Sequence, residues 1–223
     1  MSKNDFKRHT GAGRCQAESA IVSFHGTDEE SGTAPRRLIT ATLQTVGETG
    51  LRSVSLADVA RRAGLTRGAI LYYYDDLDAL LLETHRAGVE RFCDARDAVI
   101  AELPDPRSQL AAAIREGLPS GPDDALMRLL YEFDVLAGTS SAHDEMVEHM
   151  FTRQLEIYRR VLRAGIDSGD FSPVIDIEQF ALNLVALEDA YGLHIVAGNS
   201  LLDVTAAESA MRAAATGLGA PPA

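Results

Sequence analysis

Residues 53–70 read SVSLADVARRAGLTRGAI, and this stretch decides the fold of the N-terminal part of the chain. Ser55 and Thr66 are residue types that cap helix N-termini, and apolar residues at helical spacing follow each of them. Gly64 lies between the two patterns, where glycine accepts the positive φ of a tight turn. Two short helices joined by a turn of about three residues that contains glycine are typical of a helix-turn-helix.

The rest of the sequence also indicates helices and no strand. A first helix begins after Thr33 and ends between Gly47 and Gly50, and a long one runs from Asp76 to Pro104. We therefore predict an all-α protein. Glycine and proline break the remaining apolar pattern, which predicts further helices near 106–117, 123–137, 141–167, 176–198 and 203–217.

Pattern and charge divide the chain into three parts. Residues 1–33 show no lasting hydrophobic periodicity, so we predict a mostly disordered arm there. We predict a helix-turn-helix domain at 34–80 and a second helical domain at 81–223. The net charge is −12, yet residues 34–74 hold six arginines and two acidic residues, whereas residues 75–223 hold 11 basic and 26 acidic residues. Chance variation among helix surfaces is one explanation. The other is a basic module joined to an acidic one.

The composition excludes several classes of protein. Apolar residues make up 46% of the 223 residues, which is enough for a sizeable core. No uncharged apolar run reaches the ~18 residues of a membrane span, and the polar N-terminus lacks the apolar centre of a signal peptide. Cys15 and Cys93 are too few for a disulfide framework. We therefore expect a reduced, cytoplasmic protein without a membrane segment.

The second short helix of the motif has the residues of an element that reads DNA. Arg67 and Gly68 fall in its first turn, the part of a recognition helix that enters the major groove of a double-stranded operator. Arg67 can bond a guanine in a bidentate manner or bond a phosphate. A helical hairpin with solvated arginines is the alternative. The predicted DNA contacts are Arg36, Ser55, Thr66, Arg67, Gly68, Ala69, Tyr72 and Tyr73.

Residues 34–82 resemble the DNA-binding domain of TetR-family transcriptional repressors. Residues 59–68, VARRAGLTRG, match the family pattern I-A-x-x-A-G-V-S-x-G, and Leu80-Leu81 match its closing leucine pair. The resemblance implies a dimer, a variable helical ligand domain, and release from DNA when a small molecule binds. Residues 165–171 and 187–192 are similar to the subgroup that contains the repressor of choline-to-betaine genes.

The chain departs from the family pattern at three positions. Leu71 stands where tyrosine is usual, and Tyr73 stands where histidine is usual. Leu77 replaces a lysine that commonly touches a phosphate in the family. The contacts that the family makes at positions 71 and 77 are therefore not expected here, and Leu77 is free to join the core.

Two functional surfaces are predicted in the C-terminal domain. The last two helices suit a homodimer, because paired helices of two chains form a four-helix bundle and hold two recognition helices about one DNA turn, ~34 Å, apart. A ligand pocket suits the middle helices, where apolar walls carry a few polar groups. The alternative is a core within one chain for the interface residues, and an ordinary core or a solvated face for the ligand contacts. The predicted interface residues are Phe180, Leu184, Leu187, Tyr191 and His194, and the predicted ligand contacts are Met127, Tyr131, Asp134, Met146, His149, Met150 and Asn183.

Patterns typical of catalysis or of metal binding are missing from the sequence. Glu145 and His149 lie four residues apart, but no His-Glu-x-x-His motif and no cysteine pair accompany them. Glu188 and Asp189 are adjacent, and adjacent side chains on a helix point about 100° apart. We therefore predict a ligand-responsive repressor with no metal or cofactor, and not an enzyme. The alternative is a helical enzyme or small-molecule carrier whose first helices are scaffold.

Overall fold

The computed structural model describes residues 33–134, 136, 138, 140–174 and 176–223. The described residues form nine α-helices and no strand, so the predicted all-α fold is confirmed. The predicted arm lies, except for Thr33, outside the described residues. The helices are α1 (Ala34–Thr49), α2 (Leu56–Ala63), α3 (Arg67–Tyr73), α4 (Leu77–Ala101), α5 (Pro106–Gly117), α6 (Ala125–Asp134), α7 (Ser141–Ser168), α8 (Ile177–Val196) and α9 (Val204–Gly217), with a 3-10 turn at Leu51–Ser53 between α1 and α2.

Side-chain caps begin most of these helices. A hydroxyl or carboxylate oxygen accepts the N–H three residues further on, and so satisfies a group that helix geometry leaves without a partner. Thr33 differs from the prediction, because it precedes α1 without making a capping hydrogen bond. Caps of this kind are Ser55 for α2, Thr66 for α3, Asp76 for α4, Asp105 for α5, Ser140 for α7 and Asp203 for α9.

Two helices are shorter than the pattern predicts. α4 ends at Ala101 and not near Pro104, since a proline disfavours the helical conformation of the residue before it. α6 begins at Ala125, where the Asp124 carboxylate accepts the Met127 N–H at 3.0 Å, and ends at Asp134. Helix existence is therefore confirmed throughout, while boundaries move by a few residues.

Two hydrophobic cores hold the helices together. The head core lies among α1, α2, α3, the 3-10 turn and the start of α4, and it takes in Leu129 and Phe133 of α6. The body core lies among the rest of α4 and α5 to α9, and it takes in Met127, Leu130 and Tyr131 of α6. α4 and α6 thus belong to both cores. The proposed domain boundary near residue 80 falls inside α4 and stays a prediction.

Candidate nucleic-acid interface and ligand site

The recognition helix α3 is anchored on one side only. Ile70 is fully buried in the head core, against Val59 and Ala60 of α2 in the same core. Gly64 ends α2 with a φ of +63°, the left-handed conformation that the turn requires. The helix-turn-helix geometry that the sequence predicts is therefore present.

The opposite side of α3 is open. Thr66, Arg67 and Gly68 are exposed, and Ala69 is half-buried. Tyr72 is 81% exposed and Tyr73 is 45% exposed, and their rings meet edge to face with centroids 4.9 Å apart. Nothing in the described part of the chain covers the surface that the sequence predicts to face DNA.

The six arginines of the head divide into two groups. Arg37 donates to the Ala63 carbonyl at 2.6 Å and so ties α1 to the turn of the helix-turn-helix. Arg61 pairs with Asp58 and Arg62 pairs with Glu48. The remaining three, Arg36, Arg52 and Arg67, are exposed and make no ion pair with any described residue. Three of the six arginines are therefore bonded within the chain, and three are available to a ligand.

The N-terminus of α2 carries an acidic group. The Ser55 hydroxyl donates to Asp58 Oδ2 at 2.5 Å and also accepts the Asp58 N–H. The hydrogen bond from Ser55 and the charge of Arg61 outweigh desolvation and lower the pKa of Asp58. An ionised carboxylate at this helix end repels a phosphate. The structure therefore argues against the predicted phosphate contact at Ser55.

The departures from the family pattern have a simple packing explanation at one position. Leu77 is half-buried and packs against the head core, as the sequence suggests. Leu71 is 44% exposed on α3 and makes no comparable apolar contact. A leucine in this place offers no polar group to DNA.

A charged pair lies at the centre of the body core. Arg96 of α4 and Glu188 of α8 are both completely buried, and two guanidinium nitrogens reach the two carboxylate oxygens at 3.1 and 2.8 Å. The Arg96 guanidinium also donates to the Ala113 carbonyl of α5, and lies over the Tyr158 ring at 4.8 Å. The pair joins four helices, and its charges compensate one another where water does not reach.

Further polar groups of α7 complete the shell around Glu188. Tyr158 donates its hydroxyl to Glu188 Oε2 at 2.6 Å, and Gln154 donates to Glu188 Oε1 at 2.9 Å. Burial and the charge of Glu188 raise the pKa of the Tyr158 phenol. A Cβ atom at Gly117 would overlap the Glu188 carboxylate, so only glycine fits there. Each carboxylate oxygen of Glu188 therefore accepts two hydrogen bonds.

Two neighbouring polar groups are less well satisfied. The Tyr131 hydroxyl, on a residue only 6% exposed, has no hydrogen-bond partner. Asp189, half-buried beside Glu188, receives a hydrogen bond from Gln154 at 3.1 Å. Burial, with the charge of Glu188, raises the pKa of Asp189 to about 7. A buried hydroxyl without a partner costs about 1–3 kcal/mol, so this corner of the core suits an added polar ligand.

Comparison with known proteins identifies the head. Residues 38–84 match the family model described as bacterial regulatory proteins, tetR family. These residues therefore match the DNA-binding domain of TetR-family regulators, and the chain is similar to transcriptional regulators beyond that domain.

Two relatives match most of the chain. It is 29% identical over 176 residues to the HTH-type transcriptional regulator BetI of Burkholderia cenocepacia (strain HI2424), which spans 77% of this chain and 86% of the relative. It is 25% identical over 155 residues to the HTH-type transcriptional repressor KstR2 of Rhodococcus jostii (strain RHA1), covering 68% and 75% of the two chains.

A solved structure shows the same fold. A transcriptional regulator from Saccharomonospora viridis, solved in complex with choline, superposes with a TM-score of 0.76 at 20% identity. The alignment covers 82% of this chain and 95% of that one. The similarity covers most of the chain and therefore supports its fold.

The predicted ligand contacts do not converge on one pocket of the body. Met127, Tyr131 and Met150 are buried in the body core. Met146 packs against the head core instead, and the half-buried His149 pairs with Glu90 at 3.0 Å. Asp134 and Asn183 are exposed. Within this set, Tyr131 meets the polar cluster around Glu188, and Asp134 lies near it, since its charge contributes to raising the pKa of Tyr131 and of Asp189.

The predicted interface residues lie on two different sides of α8. Phe180 and Leu184 are buried in the core of their own chain, and Leu187 and Tyr191 are half-buried against it. His194 is exposed. Phe180 and Leu184 thus have almost no surface to offer a second chain, because the body core already covers them. The exposed apolar residues of this helix are Leu182, Ala186, Ala190 and Leu193.

Arg96 is the buried charged residue that the sequence analysis missed. It follows Phe92 and Cys93 on the buried face of α4 and precedes Ile100 there, so an arginine at an apolar position was the available signal. Among the described residues, no three metal-ligating side chains come together. None of the described helices has the length and apolar character that crossing a bilayer requires.

Proposed function

We propose that the chain is a dimeric TetR-family repressor that leaves a palindromic operator in the cytoplasm when a small molecule binds its body. The observation that carries this proposal is that α3 is buried on one side and exposed on the other. Ile70 anchors the helix in the head core, while Arg67 and Tyr72 face solvent on its other side. An anchored helix with an open polar face is the form in which a recognition helix enters the major groove.

The proposed contacts divide into base reading and phosphate binding. Arg67 reads a guanine edge, because it is exposed in the first turn of α3 and has no ion-pair partner among the described residues. Tyr72, Tyr73, Thr66 and Arg36 are placed to bond phosphates. Gly68 and Ala69 are small and permit close approach of the backbone. Ser55 is left out, since Asp58 occupies its helix end.

The proposed dimer uses the exposed sides of α8 and α9. Leu182 and Leu193 of α8 are 44% and 54% exposed, which is unusual for leucines of a buried helix. Ala206 and Ala213 of α9 are exposed and small, so a second helix can approach closely. Two such helices from each chain form a four-helix bundle.

The proposed effector site is the corner of the body core around Tyr131 and Asp189. Arg96 is already bonded to Glu188 and to the Ala113 carbonyl, so it offers little to an anionic ligand. Asp189 adds a carboxylate that receives a hydrogen bond from Gln154 and makes no ion pair with a described residue. A small organic cation that also carries a hydrogen-bonding group suits these partners, and the choline bound to the S. viridis relative supports this class.

A binding experiment on DNA tests the proposal. Duplex DNA that flanks the gene is titrated with protein across a salt series, and random duplex serves as the comparison. Because Arg67 is proposed to bond a guanine edge, Arg67→Ala should weaken specific binding by about 1–3 kcal/mol. Arg163→Ala, an exposed arginine on α7, is the control and should change nothing. Binding without sequence preference or salt dependence contradicts the proposal and favours a helical enzyme or carrier.

A further inference from the structure

The open face of α3 carries a leucine among polar side chains. Leu71 is 44% exposed, whereas Ile70 beside it is completely buried in the head core. Arg67 lies four positions earlier, so it is a neighbour of Leu71 on the same face of the helix, about 6 Å away along the axis. Tyr72, the next residue, is 81% exposed. Burial in the head core therefore does not account for a leucine at position 71.

Gly68 leaves a gap on this face of α3. Its φ is not positive, so other residues can adopt the same backbone conformation. A Cβ atom there would meet only the Thr66 hydroxyl oxygen, at an ordinary contact distance of 3.9 Å. Glycine nevertheless weakens a helix relative to alanine, because it loses more backbone freedom on folding. Nothing in the described part of the chain therefore requires glycine here, and the missing side chain leaves room for a group of another molecule.

The gap at Gly68 has an apolar wall. Residues three and four positions apart are neighbours on a helix surface, so Leu71 and Tyr72 border the gap. The Leu71 side chain has neither a donor nor an acceptor, so it suits an apolar group and not a phosphate oxygen. On the major-groove edges of base pairs, the C5 methyl group of thymine is apolar, whereas the other groups that identify a base are donors and acceptors. Arg67, which makes no ion pair with a described residue, favours DNA over an apolar protein surface on this face.

We propose that Leu71 and Gly68 read a thymine, whose C5 methyl group enters the gap at Gly68 and packs against the Leu71 side chain. This inference rests on the proposed function, because it requires α3 to lie in the major groove with Arg67 on a guanine. Base pairs stack ~3.4 Å apart and Arg67 and Leu71 are ~6 Å apart along the helix, so the thymine lies within about three base pairs of that guanine. At position 71, where the TetR pattern has tyrosine, this chain thus selects a methyl group and not a polar partner.

Deoxyuridine, which is thymidine without the C5 methyl group, tests the contact. Each thymidine of the DNA that flanks the gene is replaced singly, and protein binding is measured by titration. Replacing the thymidine that Leu71 reads should weaken wild-type binding ~4-fold, the value expected for one buried methyl group. In Leu71→Ala the same replacement should change binding by less than ~1.5-fold, because the packing partner of the methyl group is gone. An equal effect in the two proteins overturns the proposal.

Val99→Ala is the matched control for Leu71→Ala. Val99 is 42% exposed and lies near the C-terminal end of α4, away from α3. This variant should keep the full ~4-fold effect of deoxyuridine. Loss of the effect in Val99→Ala as well would show that it does not depend on Leu71, and would contradict the proposal.

Gly68→Ala tests the gap, and a role in the fold predicts the opposite result. The added methyl group meets open space in the chain, so urea denaturation should show unchanged or increased stability. It fills the space that the thymine methyl needs, so binding to the flanking DNA should weaken by ~10-fold or more. Gly121→Ala, also in open space without a positive φ, is the control and should change neither quantity. Unchanged DNA binding in Gly68→Ala, or a clear loss of its stability, overturns the role of the gap.

Failure of this inference differs from failure of the proposed function. Specific binding that Arg67→Ala weakens, but that no single deoxyuridine affects, keeps the proposed function and overturns the reading of thymine by Leu71. Absence of specific DNA binding by the wild-type protein contradicts the proposed function itself.

Discussion

The head and the body differ in where their charged side chains lie. The head keeps its charged groups at the surface, where Arg61 and Arg62 make exposed ion pairs and Arg67 makes none. The body encloses Arg96 and Glu188 completely and surrounds them with donors and a carbonyl acceptor. Exposed charges can be exchanged for those of a ligand at little cost, whereas buried ones must remain paired. This difference fits a head whose exposed arginines are available to DNA. It also fits a body core in which Arg96 and Glu188 keep one paired arrangement.

The largest expected effect comes from breaking the buried pair. Arg96→Ala leaves Glu188 buried without its cation and should lower the free energy of unfolding by about 3–5 kcal/mol, measured by urea denaturation. Replacing both residues by apolar ones of similar volume should recover most of that loss. A stability loss below ~1 kcal/mol for Arg96→Ala would show that the pair is not enclosed as described.

The pH dependence of stability should distinguish the contributions of His85 and Asp189, which have opposite signs. Burial and the charges of His143 and His149 lower the pKa of His85 to about 4 from 6.5. Its ring is fully buried, stacks on Phe133 at 4.0 Å and has no hydrogen-bond partner at either nitrogen. The unfolded chain then binds the proton more readily, so His85 should reduce stability as pH falls from about 6.5 through about 4.

Asp189 should act in the opposite direction. Its pKa is raised from 3.8 to about 7, so the folded state holds the proton more tightly and stability falls as pH rises through that interval. Thermal denaturation across pH, with His85→Phe and Asp189→Asn as variants, measures the two contributions. The two pH intervals overlap and the two contributions have opposite signs, so stability should fall more steeply with rising pH between about 4 and 7 in His85→Phe and rise more steeply there in Asp189→Asn. Slope changes of the same sign in both variants would contradict the assignment.

The smallest effects are expected among the arginines of the head. Arg37→Ala removes a charged donor from the Ala63 carbonyl and should cost about 1.5–3 kcal/mol of stability. Arg61→Ala removes the exposed ion pair between Arg61 and Asp58 and should lower the free energy of unfolding by at most ~0.5 kcal/mol. Chemical denaturation of both variants compares an arginine that bonds the backbone of the turn with one in an exposed ion pair. Equal costs would show that the bond to the Ala63 carbonyl adds no more stability than the exposed ion pair.

The head shows how far local sequence carries a prediction. Ser55 and Thr66 cap helices as predicted, and Gly64 has the predicted positive φ. Each of these features depends on residues within three or four positions, which is the range of a cap or turn. The family pattern at 59–68 rests on the same local rules, and the residues matched by the family model include it.

The body shows where that reasoning ends. Leu182 and Leu184 of α8 are both apolar, yet one is exposed and the other is buried in its own chain. A helical pattern shows that a face is apolar, but it does not show whether the same chain or another covers it. For the same reason the ligand set predicted from α6, α7 and α8 is divided among two cores and the surface.

The sequence by itself determined the helices, the helix-turn-helix and the uneven division of charge, because caps, turns and composition act over a few residues. Only the tertiary structure joined Arg96 to Glu188, 92 positions away, and the Leu51 N–H to Glu132, 81 positions away. Those contacts depend on how helices pack, and packing is decided by the shape of all the side chains in a core at once. The buried polar cluster and the position of α6 between the two cores are therefore properties of the fold.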